Sequence, residues 1–392
     1  MRNVVVVSAV RTAIGTFGGT LKDYPAPQLM GLVVKEALDR AKVAPEMVGD
    51  VIVGQCMQRL DEGPSGRLAA LHAGLPIEVP GVTIHRNCAS GMQCVIYAAQ
   101  QIMLGDMDTA VAGGVEVMSR VPYVLNEARW GKRMQHGVMM DGIWAGLTDP
   151  WCGLIMGLTA ENLAEKYNIS REEQDEIAAR SHQNAEAATV EGRFKDEIMP
   201  VEIKQRKGDP VIFDKDEHFR PGTTIEKLRK LKPSFKEGGT VTAGNASGIN
   251  DAAAALVLMA EDKAKELGIP PIARLRGYGM AGVEPELMGY GPVPATLQAL
   301  DRTGFKIEDM ELVELNEAFA AQYLSCEKGL GLNREITNVN GSGIGLGHPV
   351  GCTGARIIIS LLYEMKRRGN SLGLATLCVG GGMGQASIWE MC

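Results

Sequence analysis

Hydrophobic residues follow two alternating patterns along this chain, short continuous runs and longer stretches with helical spacing. In the first half, a strand-like run over residues 81–87 leads through a small-residue turn into an amphipathic stretch over residues 92–104, which Gly105 can end. A second apolar run follows over residues 109–114. Strands that alternate with helices predict parallel sheets covered by helices.

The second half repeats this plan. Residues 335–340 form a strand-like run, and a glycine-rich turn leads to a helical pattern over residues 354–368 that Gly369 can end. Another apolar run follows over residues 374–379. The predicted helix carries one apolar face, made of Ile357, Ile358, Leu361, Leu362 and Met365. The repetition predicts a duplicated α/β unit.

A segment of different composition separates the two copies. Residues 119–248 are rich in charges and contain Trp130, Trp144 and Trp151, and their stretch 201–240 has a basic excess. From charge alone, an anion site and a solvated surface are equally good readings of that excess. The segment is interpreted as an insertion, which predicts three parts: residues 1–118 with 249–270, a loop domain over 119–248, and residues 271–392.

Charge and hydropathy exclude two classes of protein. The net charge of −7 and the lack of a long basic block argue against a nucleic-acid binder, because phosphate neutralisation needs clustered cations. The longest apolar runs, Val4–Val7 and Ala252–Ala260, are far shorter than the roughly 20 residues that span a bilayer. Because Ser8 and Arg11 interrupt the first run, it is interpreted as a buried strand rather than a signal peptide. We therefore expect a soluble, cytoplasmic protein.

Cysteine and glycine usage bear on the chemistry. The eight cysteines form no CxxC pair and have no histidine cluster at zinc spacing, which predicts reduced thiols and no metal site. Glycine is abundant, at 48 residues, and is concentrated in residues 338–354 and 378–384. Neither stretch matches the G-x-G-x-x-G dinucleotide fingerprint. Such glycine turns can instead expose backbone N–H groups to an anion.

Three residues in these turns are candidates for acyl chemistry. Cys88 is predicted at a helix start, where the helix dipole lowers a thiol pKa, and its small neighbours cannot cover it. His348 is the only histidine in a glycine-rich turn, and it could serve as the base. Cys378 ends an apolar run before three glycines. For the two cysteines, the alternative is an inert core thiol.

Four motifs resemble those of the thiolases, in particular short-chain acetyl-CoA acetyltransferases. They occur in family order across the whole chain: NCASGMQC at 87–94, NEAFAAQ at 316–322, GHPVGCTGAR at 347–356 and CVGGGMG at 378–384. The resemblance implies a five-layered α-β-α-β-α thiolase fold with an inserted loop domain. It also implies an enzyme that transfers acyl groups between coenzyme A thioesters and has no permanently bound cofactor.

The resemblance also implies a role for each catalytic residue. Cys88 takes the acyl group while His348 accepts its proton, and Cys378 then removes the α-proton of a second acetyl-CoA. Backbone N–H groups of Cys88 and Gly380 hold the acyl-enzyme oxygen, whereas His348 and a water on Asn316 stabilise the enolate oxygen. The alternative for Asn316 is the N-cap of the helix that follows it.

Coenzyme A binding is assigned by the same resemblance. The cofactor-binding candidates are Arg220, Ser247, Met156, Leu147 and Phe319, of which Ser247 could instead be a simple turn residue. The resemblance also implies a homotetramer assembled from dimers through residues 121–142. The implied partners are acetyl-CoA, acetoacetyl-CoA and CoA, without nucleic acid or membrane.

Departures from the commoner family pattern leave the acyl preference open. Ile155 stands where many acetoacetyl-CoA thiolases have histidine, and the glycine turn differs at Ser342, Gly343, Gly345, Cys352 and Thr353. A changed pocket wall can admit longer or branched acyl groups. The first hypothesis is therefore an acetyl-CoA C-acetyltransferase. The alternatives are a broader degradative 3-ketoacyl-CoA thiolase and, in another class, a non-catalytic acyl-CoA or lipid carrier.

Overall fold

The computed structural model describes residues 2–392 and contains a mixed sheet of eleven strands flanked by helices. The strands are β1 (Val4–Thr12), β2 (Gly15–Thr16), β3 (Asp50–Gly54), β4 (Gly81–Ile84), β5 (Thr109–Val117), β6 (Tyr123–Val124), β7 (Met140–Asp141), β8 (Ile198–Met199), β9 (Val201–Ile203), β10 (Val211–Phe213), β11 (Asn250–Ala260), β12 (Ala273–Gly282), β13 (Leu312–Leu315), β14 (Leu372–Val379) and β15 (Met383–Met391). The α-helices are α1 (Ala26–Ala41), α2 (Ser65–His72), α3 (Ser90–Leu104), α4 (Gly142–Gly146), α5 (Met156–Lys166), α6 (Arg171–Val190), α7 (Ile225–Leu228), α8 (Glu261–Leu267), α9 (Pro292–Thr303), α10 (Ala320–Leu330), α11 (Gly343–Leu346) and α12 (Val350–Arg368).

The two halves of the sheet have the same strand order. The first half runs β1-β11-β5-β3-β4 and the second β12-β15-β14-β13. A parallel bridge between Val313 and Thr337 takes the place that β4 has in the first half. The halves join where β1 pairs with β12, at Val5 with Arg274 and Val6 with Ala273. This correspondence confirms the predicted duplication.

The prediction of parallel sheets is wrong in part. Parallel pairing joins β3 to β4 and β5 in the first half and β13 to β14 in the second, and the short β8 also pairs parallel with β1. The last strand of each half pairs antiparallel with both of its neighbours: β11 with β5 and β1, and β15 with β14 and β12. The predicted strand over residues 335–340 is also wrong, because a short 3₁₀ helix, Arg334–Ile336, occupies its start.

Helices form three layers around the two half-sheets. Helices α1 and α2 cover the outer face of the first half, while α9 covers the outer face of the second. Between the half-sheets, α3 packs against α12, and α12 contacts strands of both. Gly105 and Gly369 end these two helices in left-handed conformation, as predicted. The five-layered arrangement expected from the sequence is therefore present.

The central position of α12 differs from what its amphipathic pattern suggests. The helix is buried almost throughout, including its polar residues Arg356, Ser360 and Glu364. Two of these polar groups have hydrogen-bond partners inside the protein: Ser360 Oγ lies 3.1 Å from Glu197 Oε1, and Asn340 Nδ2 donates to Glu364 Oε2 at 2.9 Å. Arg356 Nη1 lies 3.7 Å from the buried Glu314 carboxylate. A polar stripe on this helix therefore marks internal contacts rather than a solvent face.

The long segment between β5 and β11 packs its helices α5 and α6 on elements of the second half, among them α10 and α11, and is tied to the first half by a buried charge cluster. Arg11 of β1, which is fully buried, donates to Glu197 at 2.6 Å and to both carboxylate oxygens of Asp216 at 2.7 and 3.0 Å. Buried charges of this kind need such partners, since desolvation of a lone ion is costly. The three-part domain division stays a prediction.

Candidate active site

The starts of α3 and α12 meet at the centre of the molecule. A Cβ atom on Gly91 would lie 2.8 Å from the Ala355 nitrogen, and one on Gly354 would lie 2.5 Å from the Met92 nitrogen. Only glycine permits backbones to approach this closely. Because the helices meet here, the segments that precede them line the same cavity, which has a volume of about 1000 Å³. Cys88 and His348 are among its lining residues.

Cys88 lies just before α3, after a residue with unusual backbone geometry. Asn87 has φ +42°, and its side-chain Nδ2 donates to the Gly380 carbonyl at 2.8 Å. The backbone N–H groups of Gly380 and of Cys88 itself face the thiol and lower its pKa, but burial outweighs them and raises the pKa to about 11. The expectation of a lowered pKa at this helix start is therefore wrong, and Cys88 needs a base.

His348 is buried at the wall of the same cavity. Its Nδ1 lies 2.7 Å from Thr353 Oγ1, and that hydroxyl donates its proton to the Pro349 carbonyl at 3.0 Å. Thr353 therefore accepts from Nδ1–H, which leaves Nε2 unprotonated, and Nε2 has no hydrogen-bond partner among residues 2–392. Burial, followed by the nearby Arg356 charge, lowers the His348 pKa to about 3. The ring is thus a neutral base with a free acceptor.

The structure places Cys378 and Asn316 behind the cavity wall. Cys378 is the penultimate residue of β14, two residues before Gly380, and is fully buried. Burial, followed by the nearby Cys88, raises its pKa well above the ordinary value. Asn316 is also fully buried, and neither of its amide atoms has a partner within residues 2–392. Its helix-capping alternative is wrong, because α10 begins only at Ala320.

All five cofactor-binding candidates line the cavity. Leu147 and Met156 are half-buried on one wall, and Arg220 is exposed at the surface. The Ser247 N–H donates to the Ala318 carbonyl at 2.9 Å. Phe319 is buried, and its ring packs edge to face against another aromatic ring at 6.2 Å. Ile155 also lines the cavity.

The ring that packs against Phe319 belongs to Phe235 of the inserted segment. A Cβ atom on Gly157 would lie 2.4 Å from Phe235 ring carbons, so glycine makes room for the ring at the start of α5. Most of the residues that line the cavity are apolar, and fewer are polar, as is usual for small-molecule pockets.

Sequence reasoning missed two residues of this site. His182 and His218 are not among the candidates from the sequence, but both line the cavity and their rings stack with centroids 6.3 Å apart. The only available signal was the position of His218 two residues before Arg220 in the basic stretch. His182 lies on α6 and offered none, because its neighbours are typical of a polar helix.

The remaining chemistry in the described residues is limited. Within residues 2–392, no three His, Cys, Asp or Glu side chains converge as metal ligands. No helix of this range is both long and apolar enough to cross a bilayer. All eight cysteines lie in it and are free thiols.

Comparison with known proteins assigns the fold and the family. The thiolase N-terminal domain profile matches residues 4–262, and the thiolase C-terminal domain profile matches residues 269–391. The beta-ketothiolase BktB of Cupriavidus necator is 52% identical over 391 residues, which are 99% of each chain. The similarity to this relative therefore extends over the whole chain and is not confined to the four motifs.

Two solved structures agree. The acetyl-CoA acetyltransferase of Bacillus anthracis superposes with a TM-score of 0.99 at 55% identity, covering 100% of this chain and 99% of its own. Human mitochondrial 3-ketoacyl-CoA thiolase in complex with CoA gives 0.96 at 44%, covering 100% and 98%. Together with the two matching domain profiles, these similarities show that the chain belongs to the thiolase family.

Proposed function

We propose that this protein is an acetyl-CoA C-acetyltransferase, which condenses two acetyl-CoA molecules to acetoacetyl-CoA and CoA and also runs in reverse. One observation carries the proposal: Cys88, beneath two backbone N–H groups, shares a cavity with His348, whose Nε2 is a free acceptor. Relatives named acetyl-CoA acetyltransferase, such as that of Cupriavidus necator at 51% identity over 391 residues, support the choice of acetyl groups.

In the first half-reaction, Cys88 attacks the thioester carbonyl and His348 Nε2 takes the thiol proton. Because the resting thiol has a high pKa, this transfer is needed to form the nucleophile. The N–H groups of Cys88 and Gly380 hold the oxyanion of the tetrahedral intermediate. The departing CoA thiolate receives the proton of Cys378, which leaves an acetyl-Cys88 enzyme, a His348 imidazolium and a Cys378 thiolate.

In the second half-reaction, the Cys378 thiolate removes the α-proton of a second acetyl-CoA. Burial makes this thiolate a strong base, since a raised pKa means a high proton affinity. The His348 imidazolium and a water on Asn316 stabilise the enolate oxygen, and the enolate carbon attacks the acetyl-Cys88 carbonyl. The Cys88 thiolate leaves and recovers its proton from His348, so every group returns to its starting state.

Coenzyme A would enter along the wall formed by the inserted segment. Arg220 and Lys227 at the cavity offer cations for its phosphates, while Leu147, Met156 and Phe319 offer an apolar path for the pantetheine arm. Ser247 lies beside that path with its N–H already used by Ala318. No permanently bound cofactor is required by this chemistry.

A broader 3-ketoacyl-CoA thiolase is the second candidate. The beta-ketothiolase and 3-ketoacyl-CoA thiolase relatives favour it, and so does Ile155, which gives the cavity an apolar wall. A non-catalytic carrier is disfavoured, because binding alone does not require a free His348 acceptor beside Cys88. The broader thiolase would differ from the acetyltransferase in the acyl groups that it accepts, whereas the carrier would transfer no acyl group.

Mass spectrometry tests the proposal directly. Incubation with acetyl-CoA, acid quench and peptide mapping should place one acetyl group on Cys88; an unmodified Cys88 would support the carrier. A series of 3-ketoacyl-CoA substrates of increasing length should then show the highest kcat/KM for acetoacetyl-CoA. A flat ranking favours the broader thiolase.

We also propose a cytoplasmic homotetramer. Residues 121–142 present a dense set of exposed apolar side chains, which a lone chain rarely leaves in water. The exposed set includes Tyr123, Leu125, Trp130, Met134, Val138 and Met139. The catalytic thiols need a reducing compartment. Light scattering at micromolar concentration should give the mass of four chains, and the mass of two would contradict the tetramer.

A further inference from the structure

We propose that Asn250 and His218 are positioning residues for the catalytic loop, and that they link the backbone of His348 to the backbone of Arg220. The inference rests on the proposed function for the identity of the base and of the coenzyme A contact. Neither residue touches the reacting atoms in this scheme. Each instead fixes the segment that presents a group to the substrate.

Asn250 is fully buried at the start of β11 and holds the loop before α12. Its Oδ1 accepts from the His348 N–H at 3.0 Å, and its Nδ2 donates to the Gly15 carbonyl at 3.0 Å. Gly347, with φ +102°, lies against this side chain, since a Cβ there would be 2.5 Å from Asn250 Cγ. The amide therefore sets the position of the His348 backbone within a tightly packed pocket.

His218 fixes the orientation of that amide. Its Nδ1 lies 3.3 Å from Asn250 Nδ2, an atom that can only donate, so Nδ1 must be the unprotonated nitrogen. The main-chain carbonyl of Ile344 also faces the ring and favours a ring N–H. A Cβ on Gly248 would lie 2.1 Å from His218 Cε1, so glycine is needed for the imidazole to reach the amide.

His182 extends the arrangement to the coenzyme A wall. Its ring stacks on His218, and its Nδ1 accepts from the Arg220 N–H at 3.3 Å. The path from Arg220 through the two imidazoles and Asn250 to His348 is continuous. A coenzyme A phosphate that draws Arg220 into place is therefore linked by direct contacts to the base of the reaction.

The arrangement works only while His218 is neutral. The groups that face it are His182, Arg220, Asp216, Asn250 and the Ile344 carbonyl. Burial, followed by the Arg220 charge, lowers the His218 pKa to about 4, and burial does the same to His182. Protonation of Nδ1 would set two donors against each other. Rotating the amide to relieve this would remove Oδ1 from the His348 N–H.

Two variants of His218 test the assignment. His218→Phe keeps the stacked ring but removes the acceptor, whereas His218→Asn offers an oxygen near the position of Nδ1. We expect His218→Phe to slow acetylation of Cys88 by about tenfold or more, with a smaller change in KM, because small displacements of a base are costly in rate. His218→Asn should recover most of the rate. His72→Phe, at an exposed histidine, is the matched control.

Asn250→Asp tests the pair through the pH dependence of acetylation, which a purely structural role of Asn250 would not change. An aspartate there can still accept from the His348 N–H, but it needs a proton on His218 Nδ1. Its acetylation rate should therefore rise as pH falls from 8 to 5, opposite to any acid loss in the unmodified protein. The rate of Cys88 alkylation by iodoacetamide, which needs no thioester, should follow the same trend in each variant.

The outcomes separate the two proposals. If unmodified Cys88 fails to acetylate, the proposed function fails, and the iodoacetamide series alone tests the positioning pair. Equal rates for His218→Phe and the unmodified protein would overturn the inference. The inference would also be overturned by a His218→Asn variant that is as slow as His218→Phe while both keep native near-ultraviolet circular dichroism. An Asn250→Asp pH profile parallel to that of the unmodified protein would overturn it as well.

Discussion

The two halves of the molecule share one plan and differ most at a single turn. In the second half, β14 and β15 form an antiparallel hairpin joined by Gly380–Gly382. In the first half, β5 and β11 pair in the same way, but the segment between them runs from residue 118 to residue 249. An insertion at a turn leaves the paired strands undisturbed. The insertion therefore adds a segment that lines the cavity without changing the pairing of the strands.

Equivalent positions in the two halves have acquired different tasks. Cys88 precedes α3 and His348 precedes α12, so each half contributes one member of the proposed nucleophile and base pair. The penultimate residue is Cys378 in β14 and Glu116 in β5. Glu116 is buried and accepts three backbone N–H groups, from Cys56, Met57 and Gly351, at 2.9 to 3.0 Å.

The difference between Glu116 and Cys378 is one of chemistry. Burial raises the Glu116 pKa to about 7, but its oxygens are occupied by three N–H groups and so join the loop after β3 to the start of α12. The Cys378 thiol is faced by a single backbone N–H, its own, and in the proposed mechanism it transfers its proton. In this proposal one half uses the position to build the site, and the other uses it to react.

Replacing the nucleophile should have the largest effect. Cys88→Ala is expected to lower both condensation and thiolysis by on the order of 10⁴-fold or more, because no acyl-enzyme can form. Cys94→Ala, in the core of the same helix, is the control and should keep nearly full kcat/KM. Steady-state assays in both directions check this. Activity of Cys88→Ala within tenfold of the unmodified protein would transfer the role to another residue.

Replacing Cys378 separates the two half-reactions. Cys378→Ala should still acetylate Cys88, but more slowly, because the departing CoA thiolate loses its proton donor. Condensation should fall by about 10² to 10⁴, the usual contribution of a positioned base. Solvent deuterium should also stop entering the α-carbon of acetyl-CoA. Proton exchange that persists in an enzyme unable to acetylate would mean that the two cysteines have been assigned in reverse.

A smaller effect is expected where the halves touch. A Cβ on Gly114 would lie 2.0 Å from the Gly351 carbonyl, so Gly114→Ala must push α12 away from β5. Overpacking of this kind costs about 1–3 kcal/mol. Urea unfolding measures it, and Gly282→Ala is the control, because its nearest atom would be 3.8 Å away. Equal midpoints would show that the contact is not restrictive.

The smallest expected effect concerns pH. A histidine base is lost on protonation, and burial moves this loss from the ordinary pKa of 6.5 down to about 3. The Cys88 acetylation rate should therefore change less than about twofold between pH 8 and pH 5. Quenched-flow acetylation across this range checks it. A decline with a midpoint near 6.5 would mean that His348 is more solvated than the structure indicates.

The sequence predicted the repeated unit because local patterns carry it. Runs such as residues 109–114 and the glycines after α3 and α12 depend on neighbouring residues only. Strand direction was not predictable in the same way, since the return of β11 and β15 depends on pairing across the chain. The burial of α12 was missed for a related reason: a polar stripe looks the same whether it meets water or Glu197.

For the site, motif recognition supplied the residues but not their ionisation. A helix start suggests a low pKa for Cys88, yet burial in the assembled core reverses the direction. The tautomer of His348 required the Thr353 hydroxyl and its bond to Pro349, which only the folded loop shows. His182 and His218 were invisible, because they meet across segments distant in sequence.

The place of β1 in the sheet has a consequence for how the chain is made. This strand, buried at every position, lies between β11 and β12, so it stays without its two long sheet neighbours until residues 250–282 have been made. Until then its apolar edge is open to aggregation or to a chaperone. A chain truncated after residue 248 should therefore be insoluble when expressed alone, and its recovery as a soluble monomer would contradict this. The halves look alike, but we expect the first to fold only once its own last strand, β11, has been made.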